Sequence, residues 1–336
     1  MTYHTMLLVP VLSLSIVTAQ GEVEPRCQVT KGASLWLVHA SSVTATIRVR
    51  GNEIRTKEHL IHTLHLQVTD LDSAGNHLVT TKVVRVRGTL ELAAGQGQAE
   101  FDTADASRSG DRAAQEVAAP LAAAAGKSFR CKVSPRGQVL ELGEGAAEMI
   151  EQGRRGGSMH EHSEAQLRQW VEAAFGTPPQ KRSPAGAQWQ HSVGDSVGKL
   201  PTRQQWSMAL ADVAPESFAV AWQGTVALDA ELAAANRKKD DVVIGQIEKA
   251  NVTTGKSVGK QTISRTDGFV LHGQHTVELG FEAPDPRMGL LVTNITATTT
   301  IARTSEAEAL APQAKTEEPA KDDAKGADKQ MPRRPR

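Results

Sequence analysis

The chain has 336 residues, enough for one large domain or two ordinary ones. Its 38 basic residues balance 38 acidic ones, so no overall field steers it toward nucleic acid or an anionic membrane. Aromatics make up 4%, which argues against base-stacking platforms and sugar-stacking grooves.

The first element is a targeting signal. Met6 to Val17 is uncharged and apolar, too short to span a bilayer, and Val17-Thr18-Ala19 ahead of Gln20 fits a signal-peptidase site. The preceding MTYHT carries no Lys or Arg, unlike the usual n-region. Residues 1–19 therefore read as a cleaved signal peptide, and the mature chain as exported, periplasmic or extracellular. No later stretch is apolar enough to cross a membrane. Cys27 and Cys131 are the two cysteines; in an oxidising compartment they can pair, and two separate thiols are the alternative.

From Ser34 the pattern has a period of two. Val43, Ala45, Ile47 and Val49 alternate with Thr44, Thr46, Arg48 and Arg50, which predicts a strand with one buried and one wet face. Leu60, Leu64, Leu66 and Val68 continue it, Asp70 to Asn76 is a turn cluster, and His77 to Arg87 returns as a second strand with Lys82, Arg85 and Arg87 solvated. Gly95 to Gly126 reads as a long loop with a short helix. Ser128–Val133 and Gln138–Leu142 flank a Ser-Pro-Arg-Gly turn and form a hairpin.

One helix is clearly signalled. Ser163 and Gln166 have capping-box spacing, Leu167, Trp170, Val171, Ala174 and Phe175 form one apolar face, and Gly176 with Pro178-Pro179 ends it. That face needs an apolar partner, and the open face of the sheet is the natural one. Strands resume at Gln188–Val197, Gln204–Ala211, Ser217–Leu228, Lys260–Ser264, Phe269–Phe281 and Leu290–Ile301, with Phe218, Val220 and Trp222 pointing one way. Ala230 to Asp241 is a polar, basic interruption. Beyond Thr304 the periodicity stops, and the Ala/Lys/Glu/Pro-rich composition predicts a disordered tail.

Several motifs fail on context. Gly194-Asp195-Ser196-Val197-Gly198 matches the nucleophile elbow in letters, but no helix pattern follows and Pro201 is close. Gly126-Lys127-Ser128 and Gly255-Lys256-Ser257 lack the first phosphate-loop glycine. His59, His62 and His65 cannot converge from one strand, and His160 and His162 precede the helix in a loop, so all five read as surface residues. Asp70-x-Asp72 opens like a calcium loop but has Ala74 and Thr81 at later ligand positions.

The stretch FRCKVSPRGQVLEL, the helix SEAQLRQWVEAAF, the Thr-Pro-Pro step and the segment with Trp189 and Gly194-Asp195-Ser196 resemble exported bacterial proteins of two β-meander halves around a helix. Their cores are similar to the half-barrels of periplasmic lipoprotein carriers. That resemblance implies a curved antiparallel sheet cupping an apolar ligand beneath a helix, and it transfers no site residue.

The expected fold is mainly β: an antiparallel curved sheet or half-barrel with a covering amphipathic helix. The expected segments are 1–19 signal peptide, 20–145 N-terminal meander, 146–187 helix and crossover, 188–303 C-terminal meander and 304–336 tail. No catalytic, cofactor-binding or metal residue is assigned, and no nucleic-acid partner. The expected function is a non-enzymatic envelope protein that binds an apolar small molecule or an envelope protein. The alternatives are a hydrolase using Ser196 with His191 or His272, and a scaffold protein.

Overall fold

The computed structural model describes residues 22–23, 29–93, 97–104, 108–154, 162–179, 181–197, 200–229, 231, 249–285 and 287–311. Residues 1–19, expected to be a signal peptide, Cys27, His160, most of the basic interruption after Leu228 and residues 312–336 lie outside them, and with Cys27 the expected cysteine pairing.

Alternation makes the long strands: β2 (Ser34–Val49), β3 (Asn52–Leu71) and β4 (His77–Glu91) form one antiparallel meander. β10 (Gln188–Val197), β11 (Leu200–Val213), β12 (Ser217–Leu228), β13 (Asn251–Ser264), β14 (Val270–Asp285) and β15 (Gly289–Thr304) form a second. The two halves are not separate sheets. β15 pairs antiparallel with β2 along its length, from Leu291 opposite Val49 to Thr304 opposite Trp36. Among the described residues thirteen strands form a single sheet. At its far side, β4 pairs with β5 (Gln98–Asp102), which holds β6 (Arg108–Gly110), and with β7 (Ser128–Val133), which holds β8 (Val139–Leu142). The short β1 (Glu22–Val23) pairs only with β9 (Ser183–Pro184).

Three helices follow from local pattern: α1 (Arg112–Ala122), α2 (Ala146–Arg154) and α3 (Glu164–Phe175). The Ser163 hydroxyl accepts the Gln166 N–H at the start of α3, and Gly176 ends it at φ 68°, where a Cβ would strike Ile263 at 2.7 Å. α3 packs against β8 at one end of the sheet and β10 at the other, and against β2 and β14 between them. Ten strand steps separate β8 from β10, about 48 Å on a flat sheet. A twelve-residue helix spans about 18 Å. The sheet therefore curls until its ends approach, and α3 lies in the gap without the barrel closing.

The predicted face of α3 is core. Leu167, Trp170, Val171, Ala174 and Phe175 are fully buried among Leu35, Leu37, Leu60, Leu64, Leu66 and Phe269. Burying the four larger side chains contributes about 6–12 kcal/mol before entropy. The outer face of α3 protects β8. The Arg168 guanidinium donates to the Val139 carbonyl at 2.6 Å, and Glu172 Oε1 accepts the Val139 N–H at 2.9 Å.

Four expectations need correction. Gly95 to Gly126 holds, beside the expected short helix (α1), the strands β5 and β6 where only loop was expected, and α2 was not anticipated. Arg85 is buried, not solvated: a bulge at Thr63/Leu64 shifts β4 by one residue, and the guanidinium is covered by Asp102 and by the Ala311 carbonyl. That carbonyl follows α4 (Glu306–Leu310), a helix closed by a Ser305/Glu308 capping box inside the segment expected to be tail. Finally, His62 and His162 are buried.

Candidate functional site

Parity explains the histidines. On β3 the even positions Leu60, His62, Leu64, Leu66 and Val68 face inward, and on β2 the odd positions do, so His39 lies directly opposite His62. His162 immediately precedes the cap of α3, where a side chain turns back over the helix. All three rings pack on the Trp170 indole, at 6.4, 4.6 and 5.6 Å for His39, His62 and His162. They surround a tryptophan rather than a void, and no group of metal-binding geometry occurs among the described residues. His59 and His65 face outward as expected, His59 on Ser42 and His65 stacked on Trp36.

The rejected motifs sit where their context predicted. Gly194 to Val197 is the end of β10, paired with β11, not a strand-to-helix elbow. His191 is five residues from Ser196 on the same strand, about 17 Å away, and His272 is four strands off on β14. Asp72 Oδ1 accepts the N–H groups of Ala74 and Asn76, so the calcium-like run is a turn; the Lys132 ammonium and these donors hold its carboxyl well below the usual range. Gly255 is inside β13 and Gly126 lies in the turn between α1 and β7.

The remaining concave surface is different. In the C-terminal half, one inward row across the sheet reads Trp189, Met208, Trp222, Gly259, His275, Thr299 and Ser41. The next reads His191, Trp206, Gly224, Ser257, Val277, Ala297 and Val43. Three of the five tryptophans gather here, a concentration that the low aromatic average conceals. Trp206 lies 5.4 Å from Trp222, 5.5 Å from His275 and 5.6 Å from His191. Glycine makes this possible: a Cβ on Gly259 would come within 2.2 Å of the Trp222 indole.

A polar relay fixes the belt. Trp206 Nε1–H donates to Gln204 Oε1 at 3.1 Å and Ser257 Oγ at 3.0 Å, which leaves the serine proton for His275 Nε2 at 2.8 Å. Burial lowers the His275 pKa to about 4 and also lowers that of His191. The imidazole is thus held neutral as an acceptor. The indole N–H groups of Trp189 and Trp222 find no acceptor among the described residues.

Unlike the α3 half, this belt is not sealed. Trp189, His191, Val193, Trp222, His275, Ala297 and Thr299 point inward yet stay only partly buried. Below it the inward side chains turn mainly apolar, with Val43, Ala45, Val226, Val277, Leu279, Phe281 and Ile295 in one cluster beside the buried Thr202, Gln204 and Thr293. On β11 to β15 the charged residues with inward parity lie at the two ends of the strands, Arg303 opposite Leu37 and Asp285 at the β14–β15 turn, and none lies in the two rows of the belt.

No family model and no curated protein matches the chain. Among solved structures it is similar to one titled for lipid–protein interactions in lipovitellin, at 8% identity and TM-score 0.43, covering 82% of this chain and 25% of that one. It is also similar to the translocator domain of autotransporter NalP from Neisseria meningitidis, at 8% identity and TM-score 0.21, covering 82% and 89%. A DUF1329 family protein from Desulfovibrio piger ATCC 29098 shows 10% identity and TM-score 0.12, covering 80% and 88%. The chain thus spans a quarter of the lipovitellin chain's length. At these scores none of the three defines the fold, which rests on the strand register above.

Proposed function

We propose that the protein is a non-enzymatic binder of an uncharged, largely apolar small molecule, held on the concave face of its C-terminal half. The observation that carries this reading is the inward belt of Trp189, His191, Trp206, Trp222 and His275, partly open and continuous with an apolar floor. Ligand sites are concave, mostly apolar and provided with a few placed polar groups. Here those groups are the buried indole N–H donors of Trp189 and Trp222, which have no acceptor among the described residues and suit a carbonyl or ether oxygen rather than a charged head. The α3 face is packed by side chains and completes the core, so the proposed ligand lies beside that helix, not under it. The segment Met6 to Ala19 supports export as the setting.

The test is native mass spectrometry of the protein purified from its source, followed by organic extraction, with titration of an uncharged naphthylamine probe. The expected result is an extractable apolar mass and probe binding that Trp222→Ala weakens about tenfold. A bare protein mass together with probe binding indifferent to Trp222→Ala refutes the reading.

A further inference from the structure

At one end of the curled sheet, two hairpin tips stand side by side: β2–β3 (Val49 to Asn52) and β14–β15 (Asp285 to Gly289), brought together by the Leu291–Val49 pairing. The first turn contains Arg50 at φ 49°, the one non-glycine residue with positive φ among the described residues. Such tight turns favour Asn or Gly, so an arginine there is held against its backbone preference. Its guanidinium reaches across to the neighbouring tip and donates to the carbonyls of Arg287 and Met288. In the second turn, Asp285 Oδ1 accepts the N–H groups of Arg287 at 2.8 Å and Met288 at 2.7 Å. The two tips are thereby locked into one rim.

That rim has a definite chemistry. Arg48, Arg50, Arg55 and Arg287 against Glu53, Glu282 and Asp285 leave one net positive charge (four minus three) on a chain that is neutral overall. Glu53 is taken up by Arg48 at 2.9 Å, Asp285 by its own turn, Arg50 by the two carbonyls across the rim, and Arg55 lies in the field of Glu91, while Arg287 points into solvent. Between them Met288 is 42% and Leu290 55% exposed, two of the most exposed large apolar side chains described. Behind them Leu291 and Phe281 lead into the apolar floor of the concavity.

We propose that this rim docks on the surface of an anionic phospholipid bilayer, with Arg287 on headgroup phosphates and Met288 and Leu290 in the interface. Arginine binds phosphate oxygens bidentately, and a basic patch combined with protruding apolar side chains matches the boundary between headgroups and acyl chains. The assignment deepens the ligand-binding reading by placing the mouth of the apolar concavity against a source of apolar molecules, but docking is measurable without any ligand.

The experiment is co-sedimentation of the full mature chain with phosphatidylglycerol/phosphatidylcholine vesicles and with pure phosphatidylcholine vesicles, at low and high salt. The expected result is binding to the anionic vesicles alone, lost at high salt. Arg287→Glu should lower it more than the roughly fivefold carried by one cation near such a surface, and Leu290→Ser should lower it further. Both positions are exposed, and circular dichroism verifies the fold. Absence of binding, equal binding to both vesicles, or binding unchanged in both variants overturns the proposal, as does a rim that only joins two copies of this chain by native mass. Probe titration without vesicles separates the readings: probe binding without vesicle binding defeats the docking alone, and the converse defeats the ligand site alone.

Discussion

Trp170 and Trp222 offer a paired test of which half of the concavity is core and which is site. Trp170 is fully buried, wrapped by His39, His62 and His162 and by the α3 neighbours Leu167 and Val171. Removing its indole loses the transfer free energy of the largest side chain and leaves a cavity that a sheet pinned on both sides closes poorly. The expected cost of Trp170→Ala is about 3–5 kcal/mol. Trp222 packs on Trp206 and His275 but remains partly open, with Gly259 beneath it, so Trp222→Ala should cost about 1–2 kcal/mol by the same area reasoning. Urea unfolding followed by far-ultraviolet circular dichroism reads both as midpoint shifts at constant slope. Probe binding should show the opposite order, unchanged for Trp170→Ala in its folded state and weakened for Trp222→Ala. A Trp170→Ala cost below 1 kcal/mol, or loss of probe binding in that variant alone, refutes the assignment of the filled and open halves.

Further outcomes follow from the belt and the core. The His275 pKa lies at about 4 when folded against 6.5 when exposed, so the unfolded chain binds the extra proton first; stability should be complete above pH 6.5 and fall as pH drops toward 4, by at most about 3 kcal/mol because the ring is only partly covered. Denaturation midpoints from pH 7 to 4 check this, and His275→Gln should flatten the slope. Gly224→Ala would place a Cβ 2.0 Å from the Gln205 carbonyl oxygen; it should cost at least the 1–3 kcal/mol of overpacking, whereas Gly186→Ala, with open space around it, pays only for its φ of 82°. Burial pushes the Cys131 thiol up to about 12, so native alkylation should leave it untouched; alkylation in denaturant without reductant should label it unless it is bridged to Cys27.

The strands were legible because alternation is a local property: β10 and β12 run over the residues that the pattern gave, and the Ser163 and Gly176 caps bound α3 as expected. The 95–126 stretch was not legible, since Gly, Ala and Ser carry little periodic signal, and β5 exists chiefly because β4 is long enough to hold two partners on one edge. The histidines were misjudged by type. His62 shares parity with Leu60 and Leu64, and that parity, rather than the habit of placing imidazole in water, gave its position. The belt was missed for a related reason: Trp189, Trp206, Trp222 and His275 are spread over 87 positions in sequence, and only the cross-strand register collects them.

The pairing of β15 with β2 joins two segments that lie about 250 residues apart along the chain. Until residue 304 has been synthesised, β2 keeps one long edge of backbone donors and acceptors without its partner. Contacts so distant make the completed sheet slow to form, because the ends must be brought together before any ladder bond rewards it. The nascent chain would spend its growth as an incomplete meander with an adhesive margin. Such delay ties completion of the fold to the arrival of the last strand.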